Sequence, residues 1–271
     1  MATQADWQGR TGREWARRTP ALDAMLAPVG DAGLAALGPV EDRRILDLGC
    51  GAGATTRALA AAGALPTGID ISPDLLGLAR QAAPNLTFVE GDAAKVAFDT
   101  PFDALFSRCG AMFFDAPAEA LTHLRAQLHP GAPAVLTAWG AWGENAWAHL
   151  PLRAATGLLP EAADPMPVGP GPFAWAEPDV FAPLLQEAGW QDLAWTGFEM
   201  RVPIGLGEDS DPTARAADFV LQIGPLAARL RGKPAELKSW LRTELKGAFA
   251  PYVDHDTVRL PAKAWIITAR A

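Results

Sequence analysis

Arg44-Ile45-Leu46-Asp47-Leu48-Gly49-Cys50-Gly51-Ala52-Gly53-Ala54 is the stretch that decides the fold. Its first half is a short apolar run with an acidic residue near its end, as suits a buried strand. Its second half is a glycine-rich turn, and Thr55 and Thr56 then suit the start of a helix. Glycines let the backbone turn tightly and remove side chains that would hold a ligand away. A helix N-terminus beyond the turn offers free N–H groups and the positive end of a dipole. Together these receive an anionic or strongly polar part of a cofactor.

Outward from this turn, the pattern alternates. Leu65 to Ile69 reads as a second strand closed by Asp70, and Ser72-Pro73 as a cap and first-turn proline of the next helix. Strands are expected over Leu86 to Glu90, Phe102 to Ser107 and Ala132 to Ala138, with a helix opened by Asp115-Ala116-Pro117. Gly63 suits a helix C-terminus. Strand alternating with helix argues for a parallel sheet covered on both faces, with ligands outside the carboxyl ends of the strands.

The flanks differ. Residues 1–40 read as a helical cap with an irregular apolar face and with Thr19-Pro20 as an N-cap followed by a first-turn proline. Trp15 and Arg17 there are read first as surface-helix anchors. Residues 41–140 form the cofactor-binding core. Residues 141–177, rich in Pro, Gly and Trp, read as a lid loop that includes Pro160, Pro165, Pro167, Pro170 and Pro172. Residues 178–209 and 258–271 complete the sheet. Between them, 210–257 is a helical insertion begun by Asp211-Pro212, with Phe219, Leu226, Leu230, Leu241 and Leu245 near helical spacing. The insertion is expected to cover the acceptor, with a homodimer contact as the alternative.

Composition narrows the function classes. The chain of 271 residues carries a formal net charge of −8 and no basic block, which argues against a nucleic-acid substrate. No run reaches the length of a membrane span. The first residues lack a basic segment followed by an apolar one, so a cytoplasmic protein is expected. Two cysteines, Cys50 and Cys109, lack metal-site spacing, and no metal is expected.

Gly49, Gly51 and Ala54 satisfy the G-x-G-x-x-G/A spacing of dinucleotide-binding turns. Leu46 to Gly53, however, closely resembles the first motif of the class I S-adenosylmethionine-dependent methyltransferases, with an acid two places before the first glycine. A carboxylate at Asp47 can accept from the ammonium of a methionine moiety, whereas a pyrophosphate would repel it. The resemblance is to the bacterial small-molecule group related to ubiquinone- and menaquinone-biosynthesis methyltransferases. It implies a seven-stranded Rossmann-like α/β sheet whose last strand is antiparallel.

It also implies S-adenosylmethionine as cofactor and S-adenosylhomocysteine as product. Gly49, Cys50, Gly51 and Gly53 would form the cofactor turn. Asp70 would accept from the ribose hydroxyls, Ile71 would lie against the adenine, and Asp92 with Ala93 would meet its edge. Ser107 and Arg108 suit the methionine part. Met112, Phe113, Trp139 and Trp147 suit the wall of a small, mainly apolar or aromatic acceptor, with Trp142, Glu144 and Asn145 on the same rim. His149 is the candidate general base. The rival functions are an NAD-dependent dehydrogenase and a non-catalytic, S-adenosylmethionine-binding regulatory protein.

Overall fold

The structure is a computed structural model that describes residues 4–164, 169–207 and 209–271. Pro165 and Pro167 of the expected loop lie outside the described residues. In chain order, α1 (Gln4–Gln8), α2 (Arg10–Ala16) and α3 (Thr19–Leu37) precede β1 (Arg44–Leu48). Then come α4 (Ala54–Ala61), β2 (Leu65–Asp70), α5 (Pro73–Ala82), β3 (Thr87–Glu90) and β4 (Ala104–Arg108). The chain continues through α6 (Pro117–Ala126), β5 (Pro133–Trp139), α7 (Ala146–Ala155), α8 (Pro178–Glu187) and β6 (Gln191–Ile204). Last are α9 (Pro212–Val220), α10 (Pro225–Arg229), α11 (Ala235–Phe249), β7 (Val253–Asp254) and β8 (Thr257–Arg270).

One mixed sheet has the order β3-β2-β1-β4-β5-β8-β6, with β7 paired to β8. The five strands from β3 to β5 are parallel, and β8 runs antiparallel to both β5 and β6. The expected Rossmann-like α/β fold with an antiparallel last strand is therefore present. Among the described residues the sheet has eight strands rather than seven, because a two-residue strand folds back on the start of β8. β4 and β5 are buried at nearly every position, which requires cover on both faces. β6, by contrast, is exposed along most of its length as the edge strand.

The caps show why helices start where they do. Ser72 accepts from the Leu75 N–H at 3.4 Å with Pro73 at the first position, as expected. Asp211 accepts from the N–H groups of Thr213 and Ala214 at 2.9 and 3.2 Å and opens α9. Thr19 departs from its expected role as a cap. It is already helical, and its hydroxyl donates back to the carbonyls of Trp15 and Ala16, joining α3 to α2.

Residues 141–177 are not a simple loop. They contain α7, whose Ala146, Trp147, Ala148, Leu150, Leu152 and Ala155 are buried. The insertion is three helices rather than a detachable flap: Leu226, Leu230, Leu241, Leu245 and Phe249 belong to the main apolar core, and α11 packs on α7 and α9. No helix among the described residues is long and apolar enough to cross a membrane.

Candidate active site

The parallel half of the sheet reverses its winding between β1 and β4, and open sheets of this kind bind ligands beside such a switch point. A cavity of about 1440 Å³ opens there. Its floor is the carboxyl ends of five strands: Gly49 to Ala52 after β1, Asp70 and Ile71 at β2, and Gly91 to Ala93 after β3. Arg108 to Gly110 at β4 and Trp139 at β5 complete it. One wall comes from α2, α3 and the residues before them, the other from the insertion.

The turn after β1 is pinned by its neighbour strand. The N–H groups of Gly49 and Cys50 both donate to the Ile69 carbonyl, at 2.9 and 3.1 Å. The Gly51 N–H donates to Asp70 Oδ2 at 2.8 Å, and the Ser72 N–H to Asp70 Oδ1 at 2.9 Å. Asp70 therefore clamps the turn to the start of α5. A carboxylate has about four acceptor positions, so capacity remains for a ribose hydroxyl. Loss of solvent raises the Asp70 pKa, opposed by the N–H groups of Ser72, Gly51 and Ile71.

At Gly51, φ is +54° and an added Cβ would meet only Leu75 Cδ1, at 4.0 Å. That open side is a cradle of the kind a bound nucleoside needs. Asp92 is fixed by Lys95 at 2.9 Å and accepts from the Ala94 N–H at 3.0 Å. Arg108 reaches across to Asp23 of α3 at 2.8 Å, so the cap and the sheet share an ion pair at the cavity wall. The donor and acceptor set fits S-adenosylmethionine: one ribose-competent acid, an apolar face at Ile71, a second acid, and a side-chain-free turn.

The acceptor end is aromatic. Trp147 stacks on Phe173 with ring centroids 5.6 Å apart and 18° between planes, and it touches Trp139 at 5.0 Å. Phe113 meets Trp7 edge-on at 5.3 Å, and Trp7 meets Trp15 at 5.1 Å. Met112, Phe113, Trp139 and Trp147 all line the cavity.

A family described as a methyltransferase domain matches residues 45–131, the segment from β1 to the turn before β5. A demethylmenaquinone methyltransferase of Paenarthrobacter aurescens is 27% identical over 192 residues, 68% of this chain and 70% of the relative. Over this segment the chain is similar to the class I S-adenosylmethionine-dependent methyltransferases. A trans-aconitate 2-methyltransferase of Methylobacterium nodulans is 34% identical over 131 residues, 47% of each chain. Among solved structures, the phosphoethanolamine N-methyltransferase 2 of Haemonchus contortus aligns with a TM-score of 0.58 at 16% identity, covering 100% of this chain and 60% of that one. The cyclase SpnF aligns at 0.56 with 20% identity, over 99% and 96%. At these identities the two structures speak for the fold alone. The chain is thus an enzyme that uses S-adenosylmethionine to methylate a small molecule, and neither the dehydrogenase nor the regulatory alternative is favoured.

Some expected site residues of the methyltransferase do not reach its cavity. Asp47 is fully buried and does not line it. Its Oδ2 accepts from the hydroxyls of Thr55 and Thr56 at 2.7 and 2.6 Å, and its Oδ1 is buried without a partner. The motif acid here holds the first turn of α4. Ser107 is equally buried and donates to the Leu48 carbonyl at 3.0 Å, tying β4 to β1. Gly53 also falls outside the lining.

His149, the candidate base, sits on α7 against Trp142 at 6.5 Å and does not line the cavity. Burial, then Arg153, lowers its pKa. Asn145 is a strut, not a rim residue: its amide donates to the carbonyls of Gly140 and Ala141, and its Oδ1 accepts from Trp147 Nε1 at 3.1 Å. Glu144 pairs with Lys263 at 2.6 Å. Trp142 packs on Phe173 behind the wall.

Conversely, Trp15 and Arg17 do line the cavity. Sequence reading passed over Trp7, Arg18 and Phe173. For Phe173 the signal was present in the Gly-Pro run Gly169-Pro170-Gly171-Pro172, which brings the chain back over the site. Cys50 and Cys109 are buried packing residues, and burial raises both thiols, Cys109 to about 11.

Asp47 gives a pH prediction. Burial pushes its carboxyl above the ordinary carboxylate range, despite the two threonine hydroxyls and Arg108, while Asp70 pushes it further up. A folded pKa above the unfolded value favours folding fully below the unfolded pKa, near pH 4. That contribution is lost as pH rises through the folded value. Asp47→Asn cannot ionise, so its Tm relative to the parent should climb as pH is raised from about 4 toward neutrality. Two Tm curves that stay parallel over that range would show that Asp47 does not titrate with this sign.

Proposed function

We propose that the enzyme transfers the methyl group to a small acceptor with a mainly apolar or aromatic body. The observation that carries this is the pairing, in one cavity, of the Gly51–Asp70 clamp with the Trp139–Trp147–Phe173 wall. Gly49, Cys50 and Gly51 hold the polar end of the cofactor, Asp70 its ribose, Ile71 an adenine face, and Asp92 with Ala93 the adenine edge. Arg108, steadied by Asp23, borders the methionine part. When bound, S-adenosylmethionine supplies an electrophilic methyl group on a sulfonium, and the cofactor carries the hard chemistry. The chain's own work is alignment of the acceptor and exclusion of water. Phe219 to Leu230 of the insertion close the acceptor end.

The relatives named for demethylmenaquinone fit an aromatic body of this kind. A cytoplasmic enzyme that does not take nucleic acid agrees with the net charge of −8. The exposed edge of β6 leaves room for a homodimer. Calorimetry with S-adenosylhomocysteine against NADH tests the cofactor, and binding of NADH alone would overturn the reading. A screen of acceptors with radiolabelled S-adenosylmethionine tests the reaction.

With an acceptor in hand, Trp147→Ala should lower kcat/KM by about 10- to 100-fold, the worth of one buried aromatic face. Affinity for S-adenosylhomocysteine should stay within about twofold, since Trp147 stands at the acceptor end. An unchanged kcat/KM would remove Trp147 from the acceptor wall.

A further inference from the structure

The acceptor end of the cavity carries a charge opposite to that of the chain. The chain has a formal net charge of −8. Yet the charged residues that the insertion contributes to the lining are Arg229, Arg231, Lys233 and Lys238, and among the described residues no acid of the insertion joins them. Two of the four are held from behind by acids that follow α7. Arg229 pairs with Asp164 at 3.5 Å and Lys233 with Glu161 at 2.5 Å. Arg231 and Lys238 are exposed and, among the described residues, have no acidic partner within 4.0 Å.

Arg17 and Arg18, between α2 and α3, line the same cavity and also lack an ion pair among the described residues. Away from the cofactor end, the acids that line it are Glu14 and Asp115. Like charges lining one cavity repel one another, and an anionic ligand relieves that cost. A guanidinium presents a planar fork of donors suited to a carboxylate or phosphate, and an ammonium adds a point charge. The same cavity has an aromatic wall at Trp139 and Trp147, so the charged group and the ring system of a ligand have separate places.

We propose that the acceptor is an amphiphilic anion, with its aromatic body against Trp139 and Trp147 and a carboxylate, sulfonate or phosphate held by Arg231 and Lys238. This rests on the reading of the cavity as the methyl-transfer site. It adds the charge of the substrate, which that reading leaves open. The cationic residues also steer such an acceptor toward an otherwise acidic protein, an effect that salt weakens.

Two probes with one ring system separate the terms: 8-anilinonaphthalene-1-sulfonate carries the anion, and N-phenyl-1-naphthylamine lacks it. Both are titrated by fluorescence into the full chain saturated with S-adenosylhomocysteine, whose own binding is measured by calorimetry. The sulfonate should bind about tenfold more tightly, the size of one charge-assisted hydrogen bond, and added salt should erase the difference. The double variant Arg231→Gln, Lys238→Gln should lose that tenfold and leave the neutral probe and S-adenosylhomocysteine unaffected. Arg231→Lys with Lys238→Arg should restore most of it. Equal affinities for the two probes, or an unchanged sulfonate affinity in the Gln variant, overturn the anionic acceptor alone. Failure of S-adenosylhomocysteine to bind overturns the site reading beneath it.

Discussion

Gly51→Val should weaken S-adenosylhomocysteine binding by at least about a hundredfold, the upper range for forcing extra volume into a filled site. Gly51 sits at φ +54° on the cavity lining, and its missing Cβ would point where the protein offers nothing nearer than Leu75 Cδ1 at 4.0 Å. A valine there grows into the space the cofactor needs. Positive φ also strains a branched residue by about 1–3 kcal/mol, so Tm should fall modestly while the far-ultraviolet spectrum stays native.

Gly53→Ala is the control two residues on. Gly53 has φ +79°, but its Cβ would lie 3.0 Å from the Phe88 ring and 3.1 Å from Ala79 Cβ, inside the packing and off the cavity wall. That variant should lose stability and keep cofactor affinity in its folded fraction. Parent-like binding by Gly51→Val would show that the turn has only a structural task.

Asp70→Ala should act on both quantities at once. Removal of a ribose acceptor costs about 1–3 kcal/mol of cofactor binding. The same substitution strips the Gly51 and Ser72 N–H groups of their acceptors at 2.8 and 2.9 Å, so the turn and the start of α5 loosen together. Tm should therefore drop, and affinity should drop by more than the hydroxyl bonds alone explain. Asp70→Asn keeps a carbonyl oxygen and should fall between parent and Ala on both measures. A folded Asp70→Ala protein with parent affinity for S-adenosylhomocysteine would remove Asp70 from the cofactor site.

The parallel half was legible because its signals are local. Buried strands read as short apolar runs, and Ser72-Pro73 and Asp211-Pro212 mark helix starts with their own side chains. Asp70 and Gly51 were legible because the motif fixes which residues end the strands. Asp47 and Ser107 misled for a geometric reason. Side chains alternate across a strand, so at a strand end a single position separates a cavity residue from one under the adjoining helix or strand. Arg108 and Leu48 fall on the open side, Ser107 and Asp47 on the closed one.

The helix α7 was hidden by composition, since Pro151 lies inside it and the run of prolines that follows it suggests a loop. Its buried partners, Phe173 and the insertion, come from distant parts of the chain, and no local pattern announces them. His149 looked like a base because it is the one histidine of the stretch that follows β5. Only the packing of α7 reveals that its ring sits behind the wall rather than on it.

The position of β8 has a consequence for the birth of the protein on the ribosome. β8 lies between β5 and β6, and among the described residues β6 pairs with no other strand. Once Trp139 has emerged, the nascent chain already holds all five parallel strands, and of their pairings only that of β5 with β8 is still to come. The cofactor half can therefore be assembled in the order of synthesis. The 14 residues of β6 have no ladder to join until Thr257 to Arg270 follow them out of the exit tunnel. Through that interval β6 is an unpaired edge, the kind of surface on which unfinished chains aggregate. Translation thus delivers the cofactor half of the sheet first, and Gln191 to Asp256 must wait for β8 before the other half can close.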